Sequence, residues 1–439
     1  MNTLVNENQI ITSKEQLTEP FRLGIKQSQK LGVEYEKLPV NNKTYKAVEF
    51  LFENGVLDFI TELQKSEKYI PDYENNILLG LVSNKGAITL EPGCQTEYSI
   101  KPQNEISKIE EELNSYNKKT AQIASKMGIT FLALGNQPVS TFDNIKIIPK
   151  SRYEFMTKYL KTQASLPYVM MRETAGIQVS IDYSSEDDAI LKLSTALKLS
   201  PFLTAMFANS PIRNGKLTEY KSFRANAWLN TDNKRCGLIA KRLFLPQPEF
   251  NFNDYAQILL DLPMIFNKNN YLGDMTFYEY RKNNEASIKD WETHMSLFFP
   301  DARLKQYVEI RNHDCQKTQY ALAIPAIYKG IMYSSNGIEK VNELLSGFNY
   351  YDYEFVRHNA PRFGIDFSVE NIKISNVLKD ILDIAKKGLK EFNLNEEKYL
   401  EPISELLQKE MTPADIIIKN FEGSWHKNIS KLIEYSKII

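Results

Sequence analysis

The segment Glu34-Tyr35-Glu36 has a counterpart far along the chain in Tyr307-Val308-Glu309-Ile310-Arg311. Successive residues of a β-strand point to opposite faces of the sheet. The two glutamates of the first segment therefore share a face, as do Tyr307, Glu309 and Arg311 in the second, whose valine and isoleucine point the other way. Both segments are predicted to be strands with one charged face and one face directed into a core.

Two further segments repeat this pattern. Gln95-Thr96-Glu97 places an amide and a carboxylate on one side, and the stretch 176–182 alternates Ile, Val and Ile with Gln, Ser and Asp. A sheet built from such strands would have a polar side that lines a cavity. A lone Glu-x-Glu pair is more often a solvated strand face, but four strands of the same design favour a functional site.

Crowded carboxylates repel one another, so a cavity of this kind usually holds metal ions. Carboxylate and amide oxygens are hard ligands that suit magnesium or manganese. Magnesium held by a few carboxylates normally comes with the phosphates of a nucleotide. The pattern therefore predicts a site for a metal ion and a nucleotide.

The composition is that of an ordinary globular protein. The chain has 439 residues, of which 42% are hydrophobic and 25% charged, and its formal net charge is -1. There is no basic field to attract nucleic acid or anionic lipid, and no run approaches the roughly 18 apolar residues that span a bilayer. Because no linker or repeat divides the sequence, we expect one catalytic domain over 1–439. Within it, 1–372 would form a sheet-containing core and 373–439 a helical segment packed on that core.

The three cysteines, Cys94, Cys236 and Cys315, are far apart and odd in number. No CxxC pair is present, so a zinc ribbon and a disulfide framework are both disfavoured. The first 20 residues lack the apolar run of a signal peptide. These features predict a protein of the reducing cytoplasm. A nucleophilic role for Cys94 would need a partner histidine, and a small buried thiol is the favoured interpretation.

Helices alternate with the predicted strands. The stretch 105–127 keeps one apolar face and precedes Gly128, which stands at a C-cap position. A second helix is predicted over 189–199, and Ser200-Pro201 is predicted to restart a third one through 209. From 375 onward the pattern is mainly helical. The fold class is therefore α+β with an antiparallel or mixed sheet.

Arginines are candidates for binding phosphate or carboxylate groups, because a guanidinium offers a two-pronged donor that suits both. The candidates are Arg172, Arg224, Arg235 and Arg311. For any single arginine a surface position is more common, but Arg172 precedes a polar-faced strand and Arg311 shares a face with a glutamate. Lys234 and Arg235 lie in a polar loop that could close over a nucleotide.

Several well-known functional motifs do not occur in the sequence. The four histidines show no HExxH or other metal-ligand spacing, and each is interpreted as structural or exposed. GxxxxGK[ST], GxGxxG and GxSxG are also missing. P-loop, Rossmann and α/β-hydrolase proteins are therefore disfavoured.

Ordered segments along nearly the whole chain resemble the plant and proteobacterial type of glutamate–cysteine ligase. The most specific run begins at Asp290-Trp291-Glu292-Thr293-His294, continues through Phe299-Pro300-Asp301-Ala302-Arg303-Leu304-Lys305 and ends at Glu309-Ile310-Arg311. Other matching segments are Gly32-Val33-Glu34-Tyr35-Glu36-Lys37, Leu90-Glu91-Pro92-Gly93-Cys94-Gln95-Thr96-Glu97, Pro149-Lys150-Ser151-Arg152-Tyr153 and Thr231-Asp232-Asn233-Lys234-Arg235-Cys236-Gly237. Ordered matches of this kind are more specific than any single motif.

The resemblance implies a glutamine-synthetase-like fold, in which a curved antiparallel sheet forms a funnel surrounded by helices. It also implies that ATP and magnesium, or manganese, drive the ligation of L-glutamate to L-cysteine. The γ-carboxylate would be joined to the amine through a γ-glutamyl phosphate, the first step of glutathione-type thiol synthesis. A monomer or a homodimer is expected.

The same resemblance implies roles for individual residues. The carboxylates expected to bind metal are Glu34, Glu36, Glu97 and Glu309. The residues expected to be catalytic, by holding phosphate or a substrate carboxylate, are Arg172, Arg235 and Arg311. The residues expected to contact the cofactor are Gln178, Lys234 and Arg235.

Departures from the family pattern leave two alternatives open. Cys94, the stretch 173–176, Ser180 and Asn312-His313-Asp314 replace family residues, and Glu173 and His313 are the new polar groups, so the acceptor could be a small amine other than cysteine. The protein could also be an inactive nucleotide-binding homologue, although the four glutamates argue against this. Glu36, Glu97 and Glu309 are expected to be far more sensitive to substitution than Glu91 or Glu186. Glu91 begins a turn in which Gly93 is expected to supply a positive φ.

Overall fold

The computed structural model describes residues 8–245, 248–267 and 270–439. The strands are β1 (Leu31–Asn41), β2 (Ile70–Glu74), β3 (Ile77–Val82), β4 (Gly86–Leu90), β5 (Thr96–Gln103), β6 (Ile129–Leu132), β7 (Gly176–Ile181), β8 (Ile212–Arg213), β9 (Lys216–Leu217), β10 (Cys236–Gly237), β11 (Phe299–Pro300), β12 (Ala302–Leu304), β13 (Val308–Asp314), β14 (Ser368–Val369) and β15 (Ile372–Lys373). The α-helices are α1 (Glu15–Arg22), α2 (Val56–Ser66), α3 (Ile106–Lys126), α4 (Ser151–Leu160), α5 (Pro167–Glu173), α6 (Glu186–Met206), α7 (Phe223–Leu229), α8 (Phe252–Leu260), α9 (Phe277–Asn283), α10 (Ile288–Ser296), α11 (Thr318–Ala321), α12 (Ala323–Met332), α13 (Gly337–Leu344), α14 (Tyr350–Phe363), α15 (Ile374–Glu391), α16 (Glu401–Gln408), α17 (Pro413–Glu422) and α18 (Ile429–Ser436).

Nine strands form one antiparallel sheet in the order β12-β13-β7-β1-β5-β4-β3-β2, with β6 pairing the second half of β1. The register places Glu34 opposite Gln178 and Glu36 opposite Glu97. The polar residues of β1, β5, β7 and β13 therefore lie on one side of the sheet. The predicted α+β class with an antiparallel sheet is confirmed.

The other side of the sheet is covered by helices. Along β1, Val33 and Tyr35 are buried while Glu34 and Glu36 are half-buried, which is the alternation expected of a strand with one face in the core. Helices α3, α6 and α12 pack against the sheet, and α15 packs on α12. This packing leaves the glutamate-bearing face of the sheet free to line a cavity.

The helices from α15 onward are connected to the rest of the fold by a buried carboxylate. Glu396 accepts a hydrogen bond of 2.6 Å from the backbone N–H of Ile106, at the start of α3, and one of 2.5 Å from Lys329 of α12. A carboxylate at a helix N-terminus satisfies one of its unpaired N–H groups. One side chain thus ties this segment to two helices that support the sheet.

Helix α6 corrects the predicted break before Pro201, because a single helix runs from Glu186 to Met206. A proline inside a helix leaves the carbonyl four residues earlier without its N–H donor. Here the hydroxyl of Ser200 donates to that carbonyl, Leu197 O, at 3.0 Å. The start of the helix agrees with its sequence, since Ser185 accepts a hydrogen bond from the Asp188 N–H.

Within the ranges described above, none of the helices is both long enough and apolar enough to cross a membrane.

Candidate active site

The four predicted glutamates line one cavity on the polar side of the sheet, called here the central cavity. Glu34 and Glu36 come from β1, Glu97 from β5 and Glu309 from β13, and Gln178 of β7 lies among them. The cavity encloses about 1140 Å³, including its opening to solvent. The sheet therefore brings together residues that are up to 275 positions apart in the sequence, as 309 minus 34 gives.

Burial and neighbouring carboxylates disfavour the charged form of three of these glutamates, Glu34, Glu36 and Glu97. Glu36 and Glu97 are directly opposite on neighbouring strands, an arrangement in which like charges destabilise a sheet. Burial and the charge of Glu91 raise the pKa of Glu36 to about 7. Burial and Glu309 raise the pKa of Glu34 to about 7, while burial and the neighbouring glutamates hold the pKa of Glu97 well above its usual range. This part of the cavity is suited to binding a cation.

Glu309 differs from the other three because it is already neutralised. Its carboxylate accepts hydrogen bonds from Arg303 at 2.5 Å, Lys305 at 2.6 Å and Arg311 at 2.8 Å. Burial opposes ionisation, but these three cations hold the pKa of Glu309 well below its usual value. Glu309 thus positions basic side chains at the cavity wall, a role that the sequence pattern did not suggest.

Gln178 connects the carboxylates with the basic side chains. Its amide oxygen accepts a hydrogen bond of 2.6 Å from Arg311. Its amide nitrogen donates to Glu36 at 3.1 Å and to Glu97 at 3.4 Å. The backbone N–H of Gly176 also donates to Glu36, at 2.5 Å. These bonds fix the orientation of the amide and hold the carboxylates near one another.

Arg311 lies at the cavity wall, as the sequence suggested. Its guanidinium is 5.9 Å from the ring centre of Trp228 and 5.8 Å from that of Phe299. The two rings and the bonds to Glu309 and Gln178 limit its movement. A guanidinium held in this way is preorganised to bind a negatively charged group.

Two predicted arginines do not face the cavity, which corrects their expected catalytic roles. The guanidinium of Arg172 donates to the backbone oxygens of Phe142, at 3.0 Å, and Ile145, at 3.3 Å. Arg235 is fully buried. Its guanidinium donates to two backbone oxygens and pairs with Asp232 at 3.4 Å. Both side chains support surrounding loops because their donors are directed at backbone carbonyls.

Lys234 is also placed outside the cavity. Its side chain is exposed, and its backbone N–H donates to the side chain of Asp232 at 2.9 Å. The sequence suggested a polar loop that closes over a nucleotide. In the structure, buried Asp232 anchors this loop. Of the three residues predicted to contact the cofactor, only Gln178 lines the central cavity.

Several cavity residues were not assigned a role from the sequence. They are Glu91, Lys150, Arg152, Arg303 and Lys305. Arg303 lies opposite Glu309 in the β12–β13 pair, but the strand β12 is only three residues long and has no periodicity to recognise. Glu91 is a wall residue, so the expectation that it tolerates substitution loses its structural basis.

Arg224, one of the weaker sequence candidates, also lines the cavity. Its guanidinium packs against Gly176, where an added Cβ would lie 2.4 Å from Arg224 Nη2. It donates a hydrogen bond of 2.9 Å to the backbone oxygen of Arg311. Gly176 therefore provides the space that Arg224 occupies.

The turn at Glu91 differs in detail from its predicted form. The positive φ, 70°, belongs to Cys94 and not to Gly93. Gly93 is required for close approach, since a Cβ there would lie 2.2 Å from the backbone oxygen of Arg172. Burial raises the pKa of the Cys94 thiol, which agrees with an inert buried thiol.

The two polar residues that suggested a different acceptor lie away from the cavity. Glu173 is buried in an ion pair with Arg213, with oxygens 2.7 Å from two guanidinium nitrogens. His313 is buried 3.2 Å from the hydroxyl of Tyr328, and burial lowers its pKa to about 3. Neither side chain is in a position to select an acceptor.

The carboxylate oxygens of the cavity suit a hard divalent cation, although they do not surround a single point. Across 8–245, 248–267 and 270–439, no three His, Cys, Asp or Glu side chains converge closely enough to enclose a metal ion. Burial and neighbouring carboxylates raise the pKa values of Glu34 and Glu36, and a cation bound beside them would favour their charged form.

An antiparallel sheet whose carboxylates and arginines line one cavity can hold a metal ion and phosphate groups, as an ATP-dependent carboxylate–amine ligase requires. The family sequence model of glutamate-cysteine ligase family 2 (GCS2) matches residues 30–435. The chain belongs to this family, which confirms the resemblance found in the sequence and the assignment to the ligases.

Plant relatives support this assignment. The chain is 32% identical over 435 residues to the chloroplastic glutamate–cysteine ligase of Nicotiana tabacum, a match that covers 96% of this chain and 82% of the relative. It is 31% identical over 420 residues to the chloroplastic enzyme of Arabidopsis thaliana, covering 93% and 79%. The expectation of a cytoplasmic protein is contradicted by these relatives, since they are named as chloroplastic.

A solved structure shows the same fold. The glutamate–cysteine ligase of Francisella tularensis, in complex with AMP, superposes with a TM-score of 0.58 at 13% sequence identity. The match covers 93% of this chain and 88% of that one. At this identity the likeness concerns the fold.

Proposed function

We propose that this protein joins the γ-carboxylate of L-glutamate to the amine of L-cysteine, using ATP and passing through a γ-glutamyl phosphate. The observation that carries the proposal is that Glu34, Glu36 and Glu97 line one cavity, where burial and neighbouring carboxylates raise their pKa values. A fold that maintains such repulsion is best explained by a ligand that supplies positive charge. Membership of the glutamate–cysteine ligase family supports the reaction.

Magnesium is the proposed metal, with manganese as a substitute, since both prefer carboxylate oxygens. Glu34, Glu36 and Glu97 would hold it, and Glu309 would contribute only by exchanging one of its present cations. When bound, the metal neutralises phosphate oxygens and so favours phosphoryl transfer.

The nucleotide is proposed to approach through an outer groove that adjoins the central cavity. This groove contains Lys26, Lys30 and Lys101, and it shares Glu34 with the central cavity. Lysine ammonium groups are suited to phosphates. A triphosphate lying in the groove could therefore extend its terminal phosphate to the glutamates.

Glutamate is proposed to lie in the central cavity with its γ-carboxylate toward the phosphate. Lys150 and Arg152, which line the same cavity, would bind its α-carboxylate. Arg311 would stabilise the charge that develops on the transferred phosphoryl group, because Glu309 and Gln178 hold it in place. A carboxylate is a poor electrophile, and phosphorylation converts it into a reactive one.

Cysteine would complete the reaction. Its neutral amine attacks the carbonyl carbon of the acyl phosphate, the carbon–oxygen bond to phosphate breaks, and phosphate leaves with the bonding electrons and accepts the proton that the nitrogen loses. Cysteine is the proposed acceptor because the family and the plant relatives are glutamate–cysteine ligases. Glu173 and His313, two of the residues that suggested a different amine, are buried away from the central cavity.

The test is ADP release by the purified protein with ATP, magnesium, glutamate and cysteine. We expect turnover that requires both amino acids, and a loss on the order of a hundredfold or more in Glu97→Gln, because misplaced reactants alone reduce rates by that factor. Glu339→Gln, on the exposed surface of α13, is the matched control. Nucleotide binding without turnover for any amine would identify an inactive homologue instead.

A further inference from the structure

Glu173 has no part in the reaction described above, yet its side chain joins three distant segments. It is the last residue of α5 and is fully buried. One of its oxygens accepts a hydrogen bond of 2.7 Å from the backbone N–H of Phe142. Both oxygens accept bonds of 2.7 Å from the guanidinium of Arg213. The carboxylate thus connects α5 with the segment that precedes α4 and with β8.

The bond to Phe142 holds a segment that leads into the central cavity. The backbone oxygen of Phe142 accepts a hydrogen bond of 3.0 Å from Arg172, the neighbour of Glu173 in α5. Two consecutive side chains therefore bind both backbone groups of one residue. A few residues further on, Lys150 and Arg152 line the central cavity. Helix α5 therefore helps to set the positions of these two side chains.

Arg213 connects Glu173 to a different part of the cavity wall. Its guanidinium carbon lies 5.2 Å from the ring centre of Phe223, the first residue of α7. Helix α7 carries Arg224 and Trp228, which both line the central cavity. The Glu173–Arg213 pair therefore joins the part of the wall built from α4 and α5 to the part built from α7.

The pair is better suited to fixing positions than to adding stability. Removing two charges from water costs about as much free energy as their attraction returns, so apolar side chains of similar size are often at least as stable. Glu173 has no exposed surface, and only 22% of the Arg213 side chain is exposed. Two parallel N–H···O bonds between a guanidinium and a carboxylate, however, fix both distance and direction.

We propose that the Glu173–Arg213 pair is a positioning element that fixes one part of the central cavity wall relative to another. This role rests on the proposed ligase function, in which Lys150 and Arg152 bind the α-carboxylate of glutamate. Neither member of the pair lines the cavity itself, so it acts through the side chains that it holds in place. Without the pair these side chains would occupy several arrangements, which weakens the binding of glutamate. Nucleotide binding should be unaffected, because the outer groove is formed by other segments.

The test removes both charges together, because loss of one partner alone leaves a buried charge unpaired and destabilises the fold. In the double variant Glu173→Gln with Arg213→Met, glutamine keeps an oxygen for the Phe142 N–H and methionine keeps most of the arginine stem. We expect this variant to melt near the wild-type temperature. Its KM for glutamate should rise roughly 10-fold, the effect of weakening one hydrogen bond to a charged group. Its KM for ATP should not change.

Two further variants sharpen the comparison. Arg213→Lys keeps the positive charge but not the two-pronged donor, so its KM for glutamate should lie between those of the wild type and the double variant. Glu219→Gln with Arg362→Met is the matched control, because it removes an arginine–glutamate pair whose two side chains are both more than half exposed. Exposed pairs contribute little, and we expect wild-type kinetics from this control.

Three outcomes would overturn the inference. A folded double variant with the wild-type KM for glutamate would show that the pair positions nothing that glutamate contacts. A lower kcat with both KM values unchanged, matching the unfolded fraction in melting curves, would show that the pair only stabilises the fold. Equal rises in the KM for glutamate and for ATP would indicate a general distortion. If the double variant does not fold, Arg213→Lys decides by the same criteria.

Failure of the proposed function would look different. A wild type without turnover in the presence of ATP, magnesium, glutamate and cysteine would refute the ligase function, and the role of the pair with it. Wild-type turnover combined with unchanged kinetics in the folded variants would refute the role of the pair alone.

Discussion

Replacing Glu36 by glutamine should stabilise the ligand-free protein while removing its activity. Burial and Glu91 raise the pKa of Glu36 from 4.5 to about 7. Ionising this carboxylate in the fold therefore carries a penalty that is absent below about pH 4.5 and complete above about pH 7. Glutamine keeps the shape of the side chain but cannot ionise.

The magnitude follows from the rise in the pKa of Glu36 from 4.5 to about 7. At 1.36 kcal/mol for each pKa unit, this rise gives a penalty of about 3 kcal/mol as an upper limit. Glu36 accepts hydrogen bonds from Gly176 N and Gln178 Nε2, and glutamine can keep only one of them. The lost bond costs about 1 kcal/mol. We expect a net gain of about 1–2 kcal/mol at pH 8.

The measurement is the free energy of unfolding in urea, in the presence of EDTA, at several values of pH from 4.5 to 8. The advantage of Glu36→Gln over the wild type should grow as the pH rises through this window. ATP with magnesium should reverse the order, because only the wild type retains the full set of carboxylates. Glu339→Gln controls for the loss of one exposed charge.

Two results would refute the reasoning. Glu36→Gln could be less stable than Glu339→Gln at pH 8, which would mean that its hydrogen bonds outweigh the repulsion. Its advantage could also be independent of pH, which would mean that ionisation of Glu36 is not its source.

Three further predictions concern the same cavity. Glu309→Gln should abolish ligation and, in contrast to Glu36→Gln, lower the melting temperature, because three cations lose their shared carboxylate. A stable variant with near-normal turnover would show that Glu309 does not position these cations for catalysis. Glu91→Gln should weaken the affinity for magnesium, measured as a higher magnesium concentration at half-maximal turnover, because Glu91 lines the cavity beside Glu36. An unchanged magnesium requirement would mean that Glu91 serves only the structure of the turn. Gly176→Ala should lower the free energy of unfolding in urea by about 1–3 kcal/mol, as overpacking does, because the added Cβ would meet Arg224. Gly347→Ala, with no atom within 4 Å of the added Cβ, is the control and should be nearly neutral.

The sequence predicted the glutamates of the cavity because strand alternation is a local property. Glu34 and Glu36 can share a face only if β1 is a strand, and its apolar residues Val33 and Tyr35 make it one. That Glu36 lies opposite Glu97 could not be predicted, since strand register depends on pairing between distant segments. The crowding that makes the site functional is therefore a property of the tertiary structure.

Arginines show the limit of sequence reasoning more clearly. Arg224 and Arg235 are only 11 positions apart, as 235 minus 224 gives, and both are buried, yet only Arg224 reaches the cavity. The difference lies in their surroundings: Gly176 leaves space for Arg224, whereas Arg235 meets the backbone oxygens of Leu297 and Pro263. Residue type alone does not distinguish a ligand-binding arginine from one that binds the protein's own carbonyls.

The central claim is that the glutamate carboxylate is activated as an acyl phosphate. Glutamate labelled with ¹⁸O in its γ-carboxylate, incubated with the protein, ATP, magnesium and cysteine, tests this claim directly. An acyl phosphate intermediate transfers one labelled oxygen to each inorganic phosphate released, because the leaving phosphate keeps the bridging oxygen. We predict one ¹⁸O per phosphate by mass spectrometry, and unlabelled phosphate formed together with the dipeptide would contradict the account.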